Sequence, residues 1–276
     1  MRSNGPSENR GRQAASSQDQ KPECYPGRDP GKLTIISLGP GDTGYLAPKA
    51  RLALEKAEVI VGYKTYMDLI DPELLEGRET ISTGMRGEIR RCRMAIEKAL
   101  DGKETAVVSS GDVGIYGMAG LVMELLAEQD LMDKLEVEVI PGIPALSAAA
   151  ALLGAPLMHD FAVISLSDLM IPWEVIEARV EAAVRADFVL VIYNPRSEKR
   201  HWQLGRMRNL VMKYRNEDTP VGIVRNAARE GQSVHITTLS KLDESKVDML
   251  SILIFGNSKT EVFGEKMITP RGYLKR

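Results

Sequence analysis

Leu33-Thr34-Ile35-Ile36-Ser37-Leu38-Gly39-Pro40-Gly41-Asp42-Thr43-Gly44 is the stretch on which the fold turns. Its first half is a short apolar run, and its second half is a turn built on glycine and proline. A run of this kind, stopped so abruptly, reads as a buried strand. The apolar residues are nearly continuous rather than alternating, as they are in a strand covered on both faces. Residues 48–58 follow with Ala50, Leu52, Ala53, Leu54 and Ala57 at helical spacing. Strand, glycine turn and helix form the unit of an open, mostly parallel α/β sheet. Such sheets bind ligands at the carboxyl ends of their strands.

The unit recurs along the chain. Val59-Ile60-Val61 ends at Gly62, residues 89–100 read as a helix, and residues 105–109 read as a strand stopped by Ser110-Gly111. Residues 118–128 read as a helix, residues 137–140 as a strand ending at Pro141-Gly142, and residues 145–153 as a helix ending at Gly154. A second series opens with Ala162-Val163-Ile164-Ser165-Leu166 and a helix over residues 172–184. It continues with a strand over residues 188–193, closed by Asn194-Pro195, and a helix near residues 202–214. Strands are expected at 221–224, 234–238 and 251–255. The alternation in Val234-His235-Ile236-Thr237-Thr238 points to a mixed sheet.

The expected fold class is therefore α/β, with two α/β domains. Residues 31–157 carry a mostly parallel sheet and residues 158–266 a mixed one. The cleft between them is the default ligand site. Residues 267–276 are expected to be a C-terminal tail and residues 1–30 a disordered N-terminal tail. The latter hold only five apolar residues (Met1, Ala14, Ala15, Cys24, Tyr25), too few to offset the entropy of ordering. They also lack the apolar segment of a signal peptide.

The 276 residues carry 36 Lys and Arg against 38 Asp and Glu, a formal charge of −2. That balance gives no global attraction to nucleic acid or to an anionic membrane, so any basic site must be local. Aromatic residues, at 5%, leave little for base stacking. No stretch approaches the ~20 apolar residues of a membrane-spanning helix. Cys24, Cys92, His159, His201 and His235 lie far apart, giving neither a disulfide framework nor zinc-ligand spacing. The expectation is a cytoplasmic chain with no metal, no nucleic-acid partner and no membrane partner.

Three glycine loops follow predicted strands. The first, Gly39 to Gly44, matches the dinucleotide pattern G-x-G-x-x-G. Asp42 would set a carboxylate where a pyrophosphate belongs, and Pro40 removes an N–H. Gly62 stands where an acidic ribose ligand is expected. A plain tight turn or a different ligand explains the loop better than NAD. The second loop is Ser109-Ser110-Gly111-Asp112-Val113-Gly114-Ile115-Tyr116-Gly117 and the third Pro141-Gly142-Ile143-Pro144-Ala145. Three such loops on one sheet edge describe a ligand held mainly by main-chain groups.

These motifs resemble the tetrapyrrole methylase family, the class III S-adenosylmethionine-dependent methyltransferases. Gly39-Pro40-Gly41-Asp42, Val61-Gly62-Tyr63-Lys64, Ser110-Gly111-Asp112 with Ile115-Tyr116-Gly117, and Pro141-Gly142-Ile143 carry the likeness. Gly154-Ala155-Pro156-Leu157, Ser165-Leu166-Ser167-Asp168-Leu169 and Tyr193-Asn194-Pro195-Arg196-Ser197 resemble members that methylate C-17 of precorrin-3B in cobalamin synthesis. The resemblance covers about residues 33–265. It implies S-adenosyl-L-methionine as cofactor, a tetrapyrrole small-molecule substrate, a homodimer, and methylation with ring contraction to precorrin-4. The cofactor-binding residues it implies are Pro40, Ser110, Gly111, Asp112, Ile115, Tyr116, Pro144, Ala145, Tyr193, Asn194, Asn226 and Ala227. A cobalt-containing anaerobic counterpart of the same step is the nearest alternative. A non-catalytic nucleotide-binding module using the first loop is the alternative from another class.

Residue chemistry adds candidate roles. A sulfonium methyl is already activated, so its transfer to an electron-rich carbon needs positioning, worth up to ~7–11 kcal/mol. Ring contraction also requires a base for a hydroxyl proton. Asp112, Glu88, His159, His235 and Tyr193 are candidates, with histidine favoured on pKa grounds. Asp42 and Asp112 are the catalytic candidates, the bland alternatives being an Asx turn and a helix cap. Substrate carboxylates suit arginine forks. Arg86 with Arg90, Arg91 and Arg93, Arg196 with Lys199 and Arg200, and Arg225 and Arg229 around Asn226 qualify. Gly41, Asp42, Arg86 and Arg196 are the expected substrate-binding residues.

Overall fold

The computed structural model describes residues 29–274. The first unit runs β1 (Lys32–Ser37), α1 (Pro48–Lys56), β2 (Val59–Tyr63), α2 (Lys64–Met67), β3 (Glu79–Thr83), α3 (Glu88–Leu100), β4 (Thr105–Ser109), α4 (Met118–Glu128) and β5 (Glu136–Ile140). Its five strands are all parallel, in the order β3-β2-β4-β1-β5.

The opening run supplies both cores of this sheet. Leu33 and Ile35 pack with Cys92, Ile96, Val122 and Leu126 of α3 and α4. Ile36 and Leu38 face the other way, onto Ala50, Leu54 and Met67. Alternation in space thus lies behind continuity in sequence, because helices cover both faces. Each such side chain, fully buried, contributes about 1.5–3 kcal/mol. α1 begins with Pro48, whose missing N–H costs nothing in the first turn. α3 buries Cys92, Ala95, Ile96 and Ala99, one stripe at helical spacing.

β1 and β4 are neighbours, yet α1 and α4 leave them onto opposite faces of the sheet. That is a topological switch point, where a crevice opens at the strand ends.

The second unit runs α5 (Ala145–Leu153), β6 (Gly154–Ala155), β7 (Phe161–Ser165), α6 (Trp173–Arg185), β8 (Val189–Tyr193), α7 (Gln203–Val211), β9 (Pro220–Arg225), β10 (Ser233–Thr238), β11 (Ser251–Phe255), β12 (Glu261–Phe263) and β13 (Lys266–Ile268). Its main sheet has the order β10-β9-β11-β8-β7, with β7 and β8 parallel and the other pairs antiparallel. The expected mixed sheet is therefore present. α6 and α7 cover one face through Ile176, Val180, Leu204 and Met207. α5 covers the other, with Leu146, Ala149 and Leu153 against Val189, Val191 and Val224. The approach is close: a Cβ on Gly222 of β9 would lie 2.4 Å from Leu153 Cδ1. α5 follows the first sheet in sequence but packs on the second.

Four strands lie outside the expectation. β3 is a mostly polar edge strand, bonded only to β2, so no apolar run announces it. β6, β13 and β12 make a small third sheet from pieces more than a hundred residues apart. This corrects the expected tail at 267–276. Met267 and Thr269 are completely buried, because β13 docks beside α5. The expected N-terminal tail lies outside the described residues except at its end.

Candidate functional site

Ser37 and Ser109 end β1 and β4 opposite one another, both buried. Ser37 Oγ accepts the Val113 N–H at 3.0 Å, drawing the second loop over the first strand. Gly39 and Gly111 then exchange main-chain hydrogen bonds, at 3.1 Å from Gly39 N and 2.6 Å from Gly111 N. Asp112 joins the third loop to these two. Its Oδ1 accepts the Gly114 N–H at 2.8 Å, and its Oδ2 accepts the Gly142 N–H at 2.9 Å. Gly111 backs onto Pro144 and Ala145, its missing Cβ position lying 3.6 Å from Ala145 N. The three loops thus form one hydrogen-bonded shelf.

The second sheet, with α5, supplies the wall on which the shelf rests. Ile115, Ala145, Tyr193 and Ala227 all pack against the apolar cluster built by α5 on β8, β9 and β11. Tyr193 Oη accepts the Leu146 N–H at 3.0 Å, satisfying a first-turn amide of α5 for which Pro144 offers no side-chain cap. Burial pushes the Tyr193 hydroxyl up to about 12. Its ring lies 5.3 Å from that of Tyr116, which donates to the Val163 carbonyl at 3.1 Å. Asn194 Nδ2 donates to Ser165 Oγ at 2.9 Å.

One side chain crosses between wall and shelf. Arg229, on the loop after β9, donates from Nε to the Pro40 carbonyl at 2.6 Å and from Nη2 to Ser110 Oγ at 2.8 Å. The Asn226 carbonyl accepts the Arg229 N–H at 3.0 Å. Gly41 lies against it, since a Cβ there would sit 2.3 Å from Arg229 Cγ. Asp42 Oδ1 accepts the Gly44 N–H at 2.7 Å, which is the Asx turn named above as its alternative role.

Backbone strain gathers on the same loops. Among the described residues, seven non-glycine residues have positive φ. Four lie on these loops: Tyr116 (52°), Asn194 (49°), Asn226 (51°) and Ala228 (57°); a fifth, Arg86 (65°), follows β3 outside them. Each costs on the order of 1 kcal/mol or more and persists because the surroundings hold it.

All twelve residues expected to hold a cofactor therefore fall within one contact network. The arginines divide. Arg86 is exposed at the end of β3 and makes no hydrogen bond or ion pair among the described residues. Arg91, by contrast, is buried beneath it, donating to Thr83 Oγ1 at 3.0 Å and to the Gly84 carbonyl at 3.3 Å. Arg196 donates to the Glu244 carbonyl, Arg200 to those of Leu166 and Asn194, and Arg225 pairs with Asp248 at 2.8 Å. Neither Arg86 nor Arg196 joins the network. The candidate bases Glu88 and His235 are exposed and His159 is half-buried, and all three lie outside it, His159 Nδ1 accepting the Asp160 N–H at 3.0 Å.

Ser37 escapes a sequence reading because it looks like any strand residue. Arg229 has no spacing signal that separates it from Arg225. Among the described residues, no cluster of three or more His, Cys, Asp or Glu side chains could hold a metal ion. No helix among them is long and apolar enough to cross a membrane.

The fold and the shelf define a two-unit α/β protein whose three glycine loops meet at the strand ends of its first sheet. A family model described as Tetrapyrrole (Corrin/Porphyrin) Methylases matches residues 32–243, and the chain belongs to that family. It is 47% identical over 248 residues to the cobalt-factor III methyltransferase of Priestia megaterium, covering 89% of this chain and 46% of that protein. It is 50% identical over 241 residues to the probable cobalt-factor III C(17)-methyltransferase of Salmonella typhimurium, covering 87% of this chain and 99% of that one. The chain thus spans about half the length of the first relative and nearly all of the second. The crystal structure of the methyltransferase CobJ matches with a TM-score of 0.83 at 35% identity, over 87% of this chain and 100% of that one.

Proposed function

We propose that this chain is an S-adenosylmethionine-dependent C-methyltransferase of cobalamin biosynthesis. It methylates C-17 of a precorrin-3-level macrocycle with ring contraction. The observation that carries the reading is the convergence of the three glycine loops into one shelf, whose Ile115 and Ala145 pack on the same apolar cluster as Tyr193 and Ala227 of the second unit. It occurs in a chain half identical to a protein named a C(17)-methyltransferase.

The donor set fits an adenosyl sulfonium: main-chain amides and carbonyls, small side chains and two tyrosine rings. When bound, S-adenosylmethionine supplies a methyl group already activated on sulfur. The protein's own part is placement and exclusion of water, the larger share of the work in such a transfer. Asp112 holds the shelf, since both its oxygens are engaged by main-chain N–H groups. Asp42 has one oxygen free of any hydrogen bond among the described residues, which suits it for substrate contact or for accepting the contraction proton. Tyr193, kept protonated by burial, orients α5.

A second reading concerns the macrocycle. The relatives at 47% and 50% identity are named for cobalt-factor III, which favours a substrate already carrying cobalt. The metal would arrive within the substrate. A homodimer working in the cytoplasm completes the proposal.

Mass spectrometry decides it. The purified protein is incubated with S-adenosylmethionine and either precorrin-3B or cobalt-factor III. Gain of one methyl with loss of the starting macrocycle spectrum supports the reading, and the macrocycle consumed fixes its metallation. No methyl transfer to either, with no S-adenosylhomocysteine binding by calorimetry, refutes it.

A further inference from the structure

We infer that Arg229 is a carboxylate-binding residue of the cleft, its guanidinium serving as counter-ion to a carboxylate carried in by the ligand. The inference rests on the reading of the chain as a methyltransferase of a polycarboxylate macrocycle.

The first observation is the nature of its partners. Nε and Nη2 donate to the Pro40 carbonyl and to Ser110 Oγ, and both acceptors are neutral. Other arginines on the surface find carboxylates: Arg225 with Asp248 at 2.8 Å, Arg206 with Glu177 at 3.0 Å, Arg51 with Glu55 at 3.1 Å. Arg229 makes no ion pair among the described residues. It is nonetheless partly buried, and desolvation holds its pKa below the ordinary arginine value. A cation withdrawn from water without a counter-ion is costly, and the cost is removed when a carboxylate arrives.

The second observation is that one edge of the group is open. Nη1 makes no hydrogen bond among the described residues, and it is not one of the buried unpaired atoms. It therefore faces accessible space, while Nε and Nη2 fix the plane of the fork. A guanidinium already oriented in this way loses little entropy when it takes a carboxylate.

The third observation is that the chain is bent to put it there. Asn226 and Ala228 both have positive φ on the approach to Arg229. Gly41 makes room for its stem, with φ +155° and a Cβ position that Arg229 Cγ and Nε would overlap. The Ala228 N–H is tied to Gln232 Oε1 at 2.8 Å. Strain of this kind, spent on one side chain, marks a functional placement.

Two parts of the reacting complex carry such a group. One is the methionyl carboxylate of the cofactor, the other an acidic side chain of the macrocycle. Calorimetry with S-adenosylhomocysteine and with 5′-methylthioadenosine, which lacks the carboxylate, separates them when combined with steady-state kinetics. If the partner is the cofactor, Arg229→Gln weakens S-adenosylhomocysteine by about tenfold or more and leaves 5′-methylthioadenosine unchanged. If it is the macrocycle, both nucleoside affinities stay at wild type while KM rises about tenfold or more with kcat little changed. Arg229→Lys recovers part of either loss, and the same pattern at smaller amplitude decides the matter should Arg229→Gln not fold.

Two results overturn the inference alone. One is wild-type affinity and KM in Arg229→Gln. The other is an equal loss for both nucleosides with a lowered melting temperature, which makes Arg229 only a strut. A wild-type protein that binds no S-adenosylhomocysteine and methylates neither macrocycle overturns the underlying reading and the inference with it.

Discussion

Replacing Asp112 with asparagine tests whether the shelf is held by a carboxylate. Each oxygen accepts one main-chain N–H, from Gly114 at 2.8 Å and from Gly142 at 2.9 Å. Asparagine keeps the shape but offers one oxygen and one NH₂. Whichever N–H meets the NH₂ is left donor against donor, and the remaining bond loses its charge. A charge-assisted hydrogen bond contributes about 1.5–3 kcal/mol. Losing one and weakening the other, then discounting for partial exposure, gives about 2–3 kcal/mol. If the loops stay in place, the loss appears in global stability, lowering Tm by about 2–4 °C for each kcal/mol in a chain of this size. If the third loop releases instead, the loss appears at the ligand, as about thirty- to hundredfold weaker S-adenosylhomocysteine binding. Differential scanning calorimetry and isothermal titration read the two together. A variant with Tm within about 1 °C and affinity within twofold of wild type would refute the argument.

Four further outcomes follow from the same geometry. Gly41→Ala drives a methyl into Arg229 Cγ, so S-adenosylhomocysteine affinity or macrocycle turnover falls while circular dichroism stays native; unchanged values would show that the stem has room. Arg86→Ala changes stability by no more than about 0.5 kcal/mol, spares S-adenosylhomocysteine binding and raises the macrocycle KM; an unchanged KM removes Arg86 from the substrate site. Tyr193→Phe leaves the Leu146 N–H without its acceptor, costing about 1 kcal/mol in denaturant titration; a large kcat loss at unchanged stability would instead make Tyr193 a base.

The fourth outcome concerns alkaline pH. Burial pushes the Cys92 thiol up from 9.0 to about 12, and Tyr193 up from 10.0 to about 12. Both folded values lie above the unfolded ones. The stability they contribute is therefore complete below about pH 9 and lost as pH rises toward 12. The denaturant midpoint falls through that range, and Cys92→Ala removes the earlier part of the fall. A midpoint flat from about pH 8 to 11 would contradict the burial argument.

Much of this was legible in the chain because the information was local. Leu33 to Leu38 is continuous and aliphatic, and only a strand covered on both faces needs that. Gly-Pro-Gly, Ser-Gly-Asp and Pro-Gly mark where three strands stop, which puts all three loops on one sheet edge. Where local signal was weak, the reading failed. β3 is polar because it is an edge, and β6 and β13 are two and three residues long, β6 existing only through its pairing with β13. Nothing local in residues 267–269 shows that Met267 packs beside α5.

The sequence by itself determined the strands, the helices and the loops at which a ligand meets main chain, since hydrophobic period and turn chemistry are properties of neighbouring residues. Tertiary structure alone decided which charges matter. Arg225 and Arg229 sit four residues apart in one basic stretch, and nothing in their spacing distinguishes them. One turns to Asp248 and is neutralised; the other crosses to Pro40 and Ser110 and keeps an open edge. A charge takes its role from its desolvation and its partners, and both are set by residues far away in the chain.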